Sequence, residues 1–364
     1  MIKRLCIILA SFLLVNRTLT IKAQTLIPEN NAEINTWFQA AIKPISGRQG
    51  TLDPNVIEAE SGGLEIINVR QDGSGKFKTI SDAVKHVKIG STKRVVITIG
   101  PGEYKEKVKI DEFKQYITLL GTDPNNRPTI TFAGTAAEFG TEDSATLIVE
   151  ADYFVATNII VSNAAPRPNG QRKGAQASAI RISGDKAAFY NCKFTGFHDT
   201  VCDDSGKHFF KDCYIEGTVD VIFGEARSLY LNTEIHVITG DPIAVITAHA
   251  RMSVDGEGGY SFVHCPVTGT GGNALLGREW MEAARVVYSF CTMSDVVNPK
   301  GWSADSKPQV QKTIFFGEYH NKGPGASLAK RVPYTKQLTE AEAKQFISLE
   351  YIDAAKWLLP PPKI

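Results

Sequence analysis

The chain has little of what would direct it to nucleic acid or hold it in a bilayer. Of its 364 residues 40 are Lys or Arg and 39 are Asp or Glu, a net charge of +1, and no Lys/Arg-rich tract occurs. That balance excludes the basic footprint with which a nucleic-acid binder neutralises phosphates. Long apolar runs are equally scarce. One run of about 11 residues, Leu5 to Val15, follows Met1-Ile-Lys3-Arg4 and precedes a polar stretch ending Ile21-Lys22-Ala23-Gln24. It falls short of the roughly 20 apolar residues that span a bilayer. A basic start, an apolar core and a small residue before the cut predict a secretory signal peptide over residues 1–23, so a secreted chain with no membrane span is expected. Those residues take away four basic and no acidic side chains, which leaves 36 basic against 39 acidic and a net charge of −3. The single Asn-x-Ser/Thr sequon, Asn16-Arg-Thr18, also lies there, and no N-glycan is expected on the mature chain.

Helical periodicity is absent through the middle of the chain, which excludes a bundle. Short alternating runs take its place: Val95-Val-Ile-Thr-Ile99, Tyr116-Ile-Thr-Leu-Leu120, Thr146-Leu-Ile-Val149 and Tyr153-Phe-Val-Ala156. Cysteine is sparse but placed with regularity. Cys6 leaves with the signal peptide; Cys192, Cys202, Cys213, Cys265 and Cys291 remain, an odd number that leaves at least one unpaired in the chain. Four sit in matching frames, Phe189-Tyr-Asn-Cys192, Phe210-Lys-Asp-Cys213, Phe262-Val-His-Cys265 and Tyr288-Ser-Phe-Cys291, with Tyr230-Leu-Asn-Thr233 as a fifth. The steps are 21, 20, 32 and 26 residues.

Self-similarity on that scale, carried by short strands between Gly/Asn/Asp turns, indicates a solenoid. The reading is all-β: a parallel β-helix whose inward positions stack coil upon coil, with the framed cysteines as small buried residues. Cys202 lies outside the frame and is the one expected to be free or bridging. A repeat architecture also accommodates a chain longer than a single core normally supports. Short helices are expected to cap the stack at Asp82–Lys88 and after Thr339, where an N-cap Thr precedes early acids. Residues 24–62, polar and without a strong period, read as an N-terminal extension. Residues 63–360 form the β-helix domain, and the tail Leu359-Pro-Pro-Pro-Lys-Ile364 reads as loose.

The densest signal is the stretch from Gly196 to Gly224, GFHDTVCDDSGKHFFKDCYIEGTVDVIFG. It repeats Gly-x-x-Asp at Gly196–Asp199 and Gly217–Asp220, so the two aspartates stand 21 residues apart. If that step is one coil, their carboxyls lie on neighbouring parallel strands about 4.8 Å apart. Two carboxyls so close do not both ionise cheaply; one keeps its proton while the other serves as base or nucleophile. Gln176 lies 23 residues before Asp199 and Thr146 another 30 before that, so all four are expected along one face, a groove suited to an extended polymer. Leu276-Gly-Arg278-Glu-Trp280 adds an arginine to hold a carboxylate ionised and a tryptophan to meet a sugar ring. Singly, each residue has a plainer reading: Asp199 and Asp220 as turn residues, Gln176 as a buried amide, Arg278 as a surface ion-pair partner, Trp280 as core.

At these residues the chain resembles the plant pectinesterases. The resemblance spans roughly residues 64–360 and rests on Asp72-Gly-Ser-Gly, Gly102-Glu-Tyr-Lys-Glu106, Gln176-Ala-Ser-Ala, His198-Asp199-Thr, the block from Asp212 to Gly224, Leu276-Gly-Arg278-Glu-Trp280 and Gly323-Pro-Gly-Ala. It implies a right-handed parallel β-helix and hydrolysis of galacturonate methyl esters in pectin, with cell-wall modification as the outcome. Asp220 would be the nucleophile that forms an acyl-enzyme. Asp199 would be the acid/base, and Gln176 an oxyanion donor that also touches substrate. Arg278 would pair with the nucleophile, and Trp280 and Thr146 would contact substrate. No cofactor or metal is implied. Pectin is the expected partner, a proteinaceous pectinesterase inhibitor a second one, and the chain is expected to be a monomer.

The departures are specific. His198 stands where a glutamine usually completes the oxyanion hole, Cys202 replaces an aromatic, Glu279 a proline, and His249 a glutamine. A neutral histidine has a single N–H donor and gains charge near pH 6.5, so His198 is expected to stabilise the transition state with an acidic-side pH feature. The long inhibitor-like pro-region of many relatives is missing ahead of the first motif. Two other readings stay open on the residues alone: a polysaccharide hydrolase or lyase, since about 5 Å between carboxyls also suits a retaining glycosidase, and a catalytically weakened pectin-binding relative.

Overall fold

The apolar strand runs and the repeated frames resolve into coils. The computed structural model describes residues 25–362 apart from positions 49, 239, 241, 242, 305 and 306; the signal-peptide expectation falls outside the described residues. Among them, three long sheets run side by side, one of eleven strands and two of eight, and every pairing within them is parallel. The eleven-strand sheet begins at Glu65–Val69 and ends at Thr335–Gln337. A second sheet, here the groove sheet, runs from Val108–Ile110 to Trp302–Ser303, and the third from Glu103–Lys105 to Thr292–Met293. Eight successive coils contribute one strand to each sheet, and the eleven-strand sheet adds three more at its ends, which makes a parallel β-helix.

Like residues stack because the register repeats. Phe189 pairs with Phe210, Phe210 with Tyr230, Tyr230 with Phe262 and Phe262 with Tyr288. Their rings form one column with centroids 4.5–4.6 Å apart and planes within 10–14° of parallel. That spacing matches the distance between strands, so the side chains add stacking without distorting the ladder. Three residues on, Cys192, Cys213, Thr233, Cys265 and Cys291 fill the matching inward slot, all buried. All five described cysteines, Cys202 included, are free thiols. The turn before each slot takes a left-handed residue, Asn191, Asp212, Asn232, His264 and Phe290, with φ of 49°, 55°, 49°, 55° and 57°. Asn and Asp tolerate this conformation best, and the Asn232 amide donates to Asp212 Oδ1 at 2.6 Å.

The eleven-strand sheet is buried on both faces, as in Val95–Ile99 and Ile117–Gly121. One face meets the core; the other is covered by segments from both chain ends. Here the polar reading of residues 24–62 is corrected. Helices Ile34–Ala41 and Pro54–Ser61 lie across that face and bury Ile34, Phe38, Val56 and Ala59, with Phe38 stacked on Phe209 at 5.6 Å. Ile34, Phe38 and Ile42 recur at the four-residue spacing of a helix face. The expected caps are present. Helix Ile80–His86 is N-capped by Thr79, and Glu106 accepts from Ile80 N and Ser81 N. Helix Glu340–Ala343 opens with a capping box of Thr339 and Glu342. The expected loose tail is held at Leu359, whose carbonyl accepts from the Tyr190 hydroxyl at 2.6 Å. No helix among the described residues is long and apolar enough to cross a membrane.

Candidate active site

Asp199 and Asp220 stand at the entry to neighbouring strands of the groove sheet, Val201–Asp203 and Ile222–Gly224, where Val201 pairs with Ile222. Both adopt left-handed backbone, with φ of 67° and 48°. The preceding glycine of each Gly-x-x-Asp is required by close approach. A Cβ on Gly217 would lie 2.6 Å from Thr200 Oγ1, whose hydroxyl donates to Glu216 O at 3.0 Å. The repeated motif therefore encodes a turn that presents its aspartate in the same way on each coil.

Asp220 is gripped by Arg278, on strand Gly277–Glu279 of the same sheet. Arg278 Nε donates to Oδ1 at 2.8 Å and Nη2 to Oδ2 at 2.5 Å, a bidentate pair. The bond to Asp220 raises the guanidinium's pKa, so it stays charged. Asp199 is 7 % exposed and has no such partner of its own. Burial first, and the neighbouring Asp220 charge second, push its pKa well above the usual carboxylate range, against the weaker opposing pull of Arg278. His198 Nε2 sits 3.1 Å from Asp199 Oδ1. Ligand-type atoms of His198, Asp199 and Asp220 all lie within 4.8 Å of one another. Such a trio has the spacing of a metal site, but the guanidinium on both Asp220 oxygens disfavours a second cation there.

Gln176 lies one coil earlier, half-buried, and the next residue is tied to the acid's coil by Ala177 N donating to His198 O at 3.0 Å. Trp280 closes the other side. Its ring lies 5.8 Å from that of Phe223 and packs over buried Cys202, Phe223 and Ala248. These three form one column of the groove sheet, since Cys202 pairs with Phe223, Phe223 with Ala248 and Ala248 with Arg278. Cys202 is thus a tile of an apolar floor beneath Trp280, and burial holds its thiol protonated, its pKa well above normal. The sequence reading missed this floor; its signal was the shared offset of Cys202 and Phe223, each three residues past an aspartate.

Thr146 does not join the group. It is fully buried, and its hydroxyl donates to Ser162 O at 2.9 Å, so the expected substrate contact is corrected. Leu147 pairs with Ile180 and Ile180 with Val201, which puts Thr146 in step with Thr200 rather than with Asp199. Side chains alternate along a strand, and one residue of offset turns Thr146 inward. His249, which stands where the family usually has a glutamine, is also fully buried. Burial lowers its pKa to about 4, so it is neutral at physiological pH. Its Nδ1 accepts from the backbone N–H groups of Arg251 and Arg285, which leaves the proton on Nε2 facing Ala226 O.

Beneath the site lies a buried ionic group that the sequence did not announce. His208 and Asp203 are both fully buried, with His208 Nδ1 2.5 Å from Asp203 Oδ1 and His208 Nε2 2.8 Å from Gly184 O. With Asp203 ionised, both ring nitrogens face acceptors, which favours the imidazolium. Burial opposes that charge, but the charge and hydrogen bond of Asp203 outweigh it and raise the His208 pKa. Tyr230 Oη donates to Asp203 Oδ2 at 2.6 Å, completing the network.

A β-helix that holds an ion-paired carboxylate beside a carboxyl of raised pKa has the build of a carboxylic ester hydrolase. The comparisons agree. The Pectinesterase family profile matches residues 66–355. Pectinesterase 1 of Olea europaea is 55% identical over 335 residues, covering 92% of this chain and 91% of its own length. Putative pectinesterase 63 of Arabidopsis thaliana is 54% identical over 336 residues, with the same 92% and 91% coverage. Among solved structures, the pectin methylesterase from carrot superposes with a TM-score of 0.73 at 31% identity, covering 77% of this chain and 90% of that one. The chain belongs to the pectinesterase family and is a carboxylic ester hydrolase.

Proposed function

We propose that the protein hydrolyses methyl esters of galacturonate units in pectin, with Asp220 as nucleophile and Asp199 as acid/base. The observation that carries this reading is the opposite treatment of two adjacent carboxyls: Asp220 bound at both oxygens by Arg278, and Asp199 buried with a raised pKa.

In the first step the Asp220 carboxylate attacks the ester carbonyl carbon, and the carbonyl oxygen becomes an oxyanion. The Gln176 amide and an N–H of His198 serve as its donors. Collapse breaks the carbon–methoxy bond, the Asp199 proton passes to the departing oxygen, and methanol leaves. The product on the enzyme is an acyl-Asp220 anhydride, and Asp199 is now a carboxylate. It takes a proton from water, the hydroxide attacks the acyl carbon, and the bond to Asp220 breaks. The pectin carboxylic acid departs and loses its proton to water, leaving Asp199 protonated and Asp220 ionised as at the start. Trp280 over its apolar floor offers the flat surface for a sugar ring. Pectin methylesterases of the same fold, 24% identical, are known in complex with hexasaccharides, which supports an extended chain in the groove. An acyl transition state needs oxyanion donors and a glycosyl one does not, so Gln176 and His198 favour ester over glycosidic cleavage.

The same reading makes the protein a cell-wall enzyme that is secreted after loss of residues 1–23. Methanol release from highly methyl-esterified pectin, wild type beside Asp220→Asn, tests it. Methanol from wild type alone is expected; turnover by the variant, or new reducing ends in place of methanol, would overturn the assignment.

A further inference from the structure

Trp280 is held in place by a side chain that the chemistry above does not use. Strand Gly277–Glu279 ends one residue before it, so the Trp280 carbonyl has left the ladder that satisfies its neighbours. A carbonyl leaving a sheet still needs a donor. Lys307 supplies one: its ammonium donates to Trp280 O at 2.6 Å from 27 residues further along the chain. Strand Trp302–Ser303 follows that of Arg278 in the groove sheet, with Gly277 paired to Trp302 and Arg278 to Ser303. Lys307 then leads into the turn Pro308–Lys312. That turn is fixed by Pro308 at its first position, by Val310 N donating to Lys307 O at 3.0 Å, and by the buried Val310 side chain. The lysine therefore reaches Trp280 from a rigid mount.

The segment that bears Trp280 is fastened on both sides. Towards the preceding coil, Met281 N donates to His249 O at 3.5 Å and Ala283 N to Arg251 O at 2.9 Å. Towards the following coil, the Thr313 hydroxyl donates to Glu282 O, and Lys307 holds the carbonyl of Trp280 itself. Lys307 also lies 4.0 Å from Glu282 Oε1, but that carboxylate is exposed, and an exposed ion pair at this distance contributes little. The bond to the carbonyl is the contact that matters. Arg278 depends on none of this, because its fork to Asp220 and the strand ladder hold it.

We infer that Lys307 is a positioning residue: its bond to the Trp280 carbonyl sets the stance of the indole over Cys202, Phe223 and Ala248, and so governs how tightly a sugar ring is held. The inference rests on the pectin-esterase reading above, in which Trp280 receives the sugar. The apolar floor fixes the height of the ring, and Lys307 fixes the backbone from which the ring projects. Losing the lysine frees that backbone on one side and leaves Asp199, Asp220 and Arg278 as they are. The effect therefore falls on substrate binding and spares the chemical step.

The test measures methanol release from highly methyl-esterified homogalacturonan of one length by wild type, Lys307→Met, Lys307→Arg, Trp280→Ala and the double variant Lys307→Met/Trp280→Ala. Lys307→Met keeps the apolar stem and removes the donor. It is expected to raise KM about three- to ten-fold, with kcat within about two-fold of wild type. Lys307→Arg restores a charged donor and should return KM to near the wild-type value. Once the indole is gone the bond has nothing to orient, so Lys307→Met added to Trp280→Ala should move KM by less than about two-fold. A lower melting temperature with KM unchanged would make Lys307 a structural prop and overturn the inference. Effects that multiply in the double variant would overturn it as well. The two failures stay apart: Trp280→Ala raising KM while Lys307→Met does not refutes the role of Lys307 alone. Wild type without methanol release, or Trp280→Ala with KM unchanged, refutes the reading beneath it and the inference with it.

Discussion

Arg278 reaches Asp220 with two parallel hydrogen bonds, 2.8 and 2.5 Å long, from a strand 58 residues further along the chain. The fork fixes the plane of the carboxylate as well as its charge. Arg278→Lys retains a cation but offers one point donor in place of the fork. It is expected to lower kcat by about 10²-fold with little change in KM. Steady-state kinetics on esterified pectin check this; a fall confined to KM would make Arg278 a substrate contact instead.

Asp199 links catalysis to stability with opposite signs. Its folded pKa lies above the unfolded value, chiefly through burial, so the native state holds a proton that the unfolded chain releases. Between the two values stability falls as pH rises, and above the folded value the penalty is complete. Asp199→Asn removes the buried charge and suits the left-handed backbone at this position. The variant should be inactive yet melt higher than wild type at neutral pH, by about 2 °C or more. The gap should close on acidification below the unfolded carboxylate value. Melting curves at pH 3.5 and pH 7.5 decide it.

His198 stands 3.1 Å from Asp199 and carries a group that titrates where glutamine has none. In His198→Gln the acidic-side inflection of the kcat profile should disappear while the limb set by Asp199 remains. Identical profiles from pH 4 to pH 8 would remove His198 from the chemistry.

The Asp203–His208 pair makes an alkaline prediction. The His208 pKa is raised in the fold, so the stabilisation is fully present below the unfolded histidine value and is lost as pH rises through the folded one. Asp203→Asn strands the buried imidazolium and should cost about 3–5 kcal/mol near neutral pH. The cost should shrink at alkaline pH, where the ring is neutral in both proteins. Denaturant titrations at two pH values measure the difference.

Much of this architecture was legible in the chain, and the reasons are local. Asp199 and Asp220 declare themselves because no loop interrupts the 21-residue coil between them, so sequence distance equals one turn. The ring and thiol columns read out for the same reason. Thr146 failed because a long connection separates its coil from the next: Leu147 pairs with Ile180, 33 residues on, and parity along the strand cannot be counted through a loop. The Asp203–His208–Tyr230 network was invisible because its members lie 5 and 27 residues from Asp203 and meet only inside the solenoid. The helix at Ile34–Ala41 was readable from Ile34, Phe38 and Ile42 and was obscured by the polar residues around them.

A linear stack of coils is free to unravel from either end, as repeat arrays do when terminal units are weakly held. Here the ends are latched to each other. Arg48 donates to the carbonyls of Ala354, Ala355 and Leu358, and Ile27 N donates to Ile347 O at 2.9 Å. The joined strap lies across the middle coils, where Ser261 Oγ donates to Phe346 O at 2.6 Å. Peeling the first coil therefore loosens the last one too, and the molecule behaves as a hoop rather than a ladder. Its coils should melt in a single transition, and a polymer pulled through the groove will not start a progressive unzipping from one end.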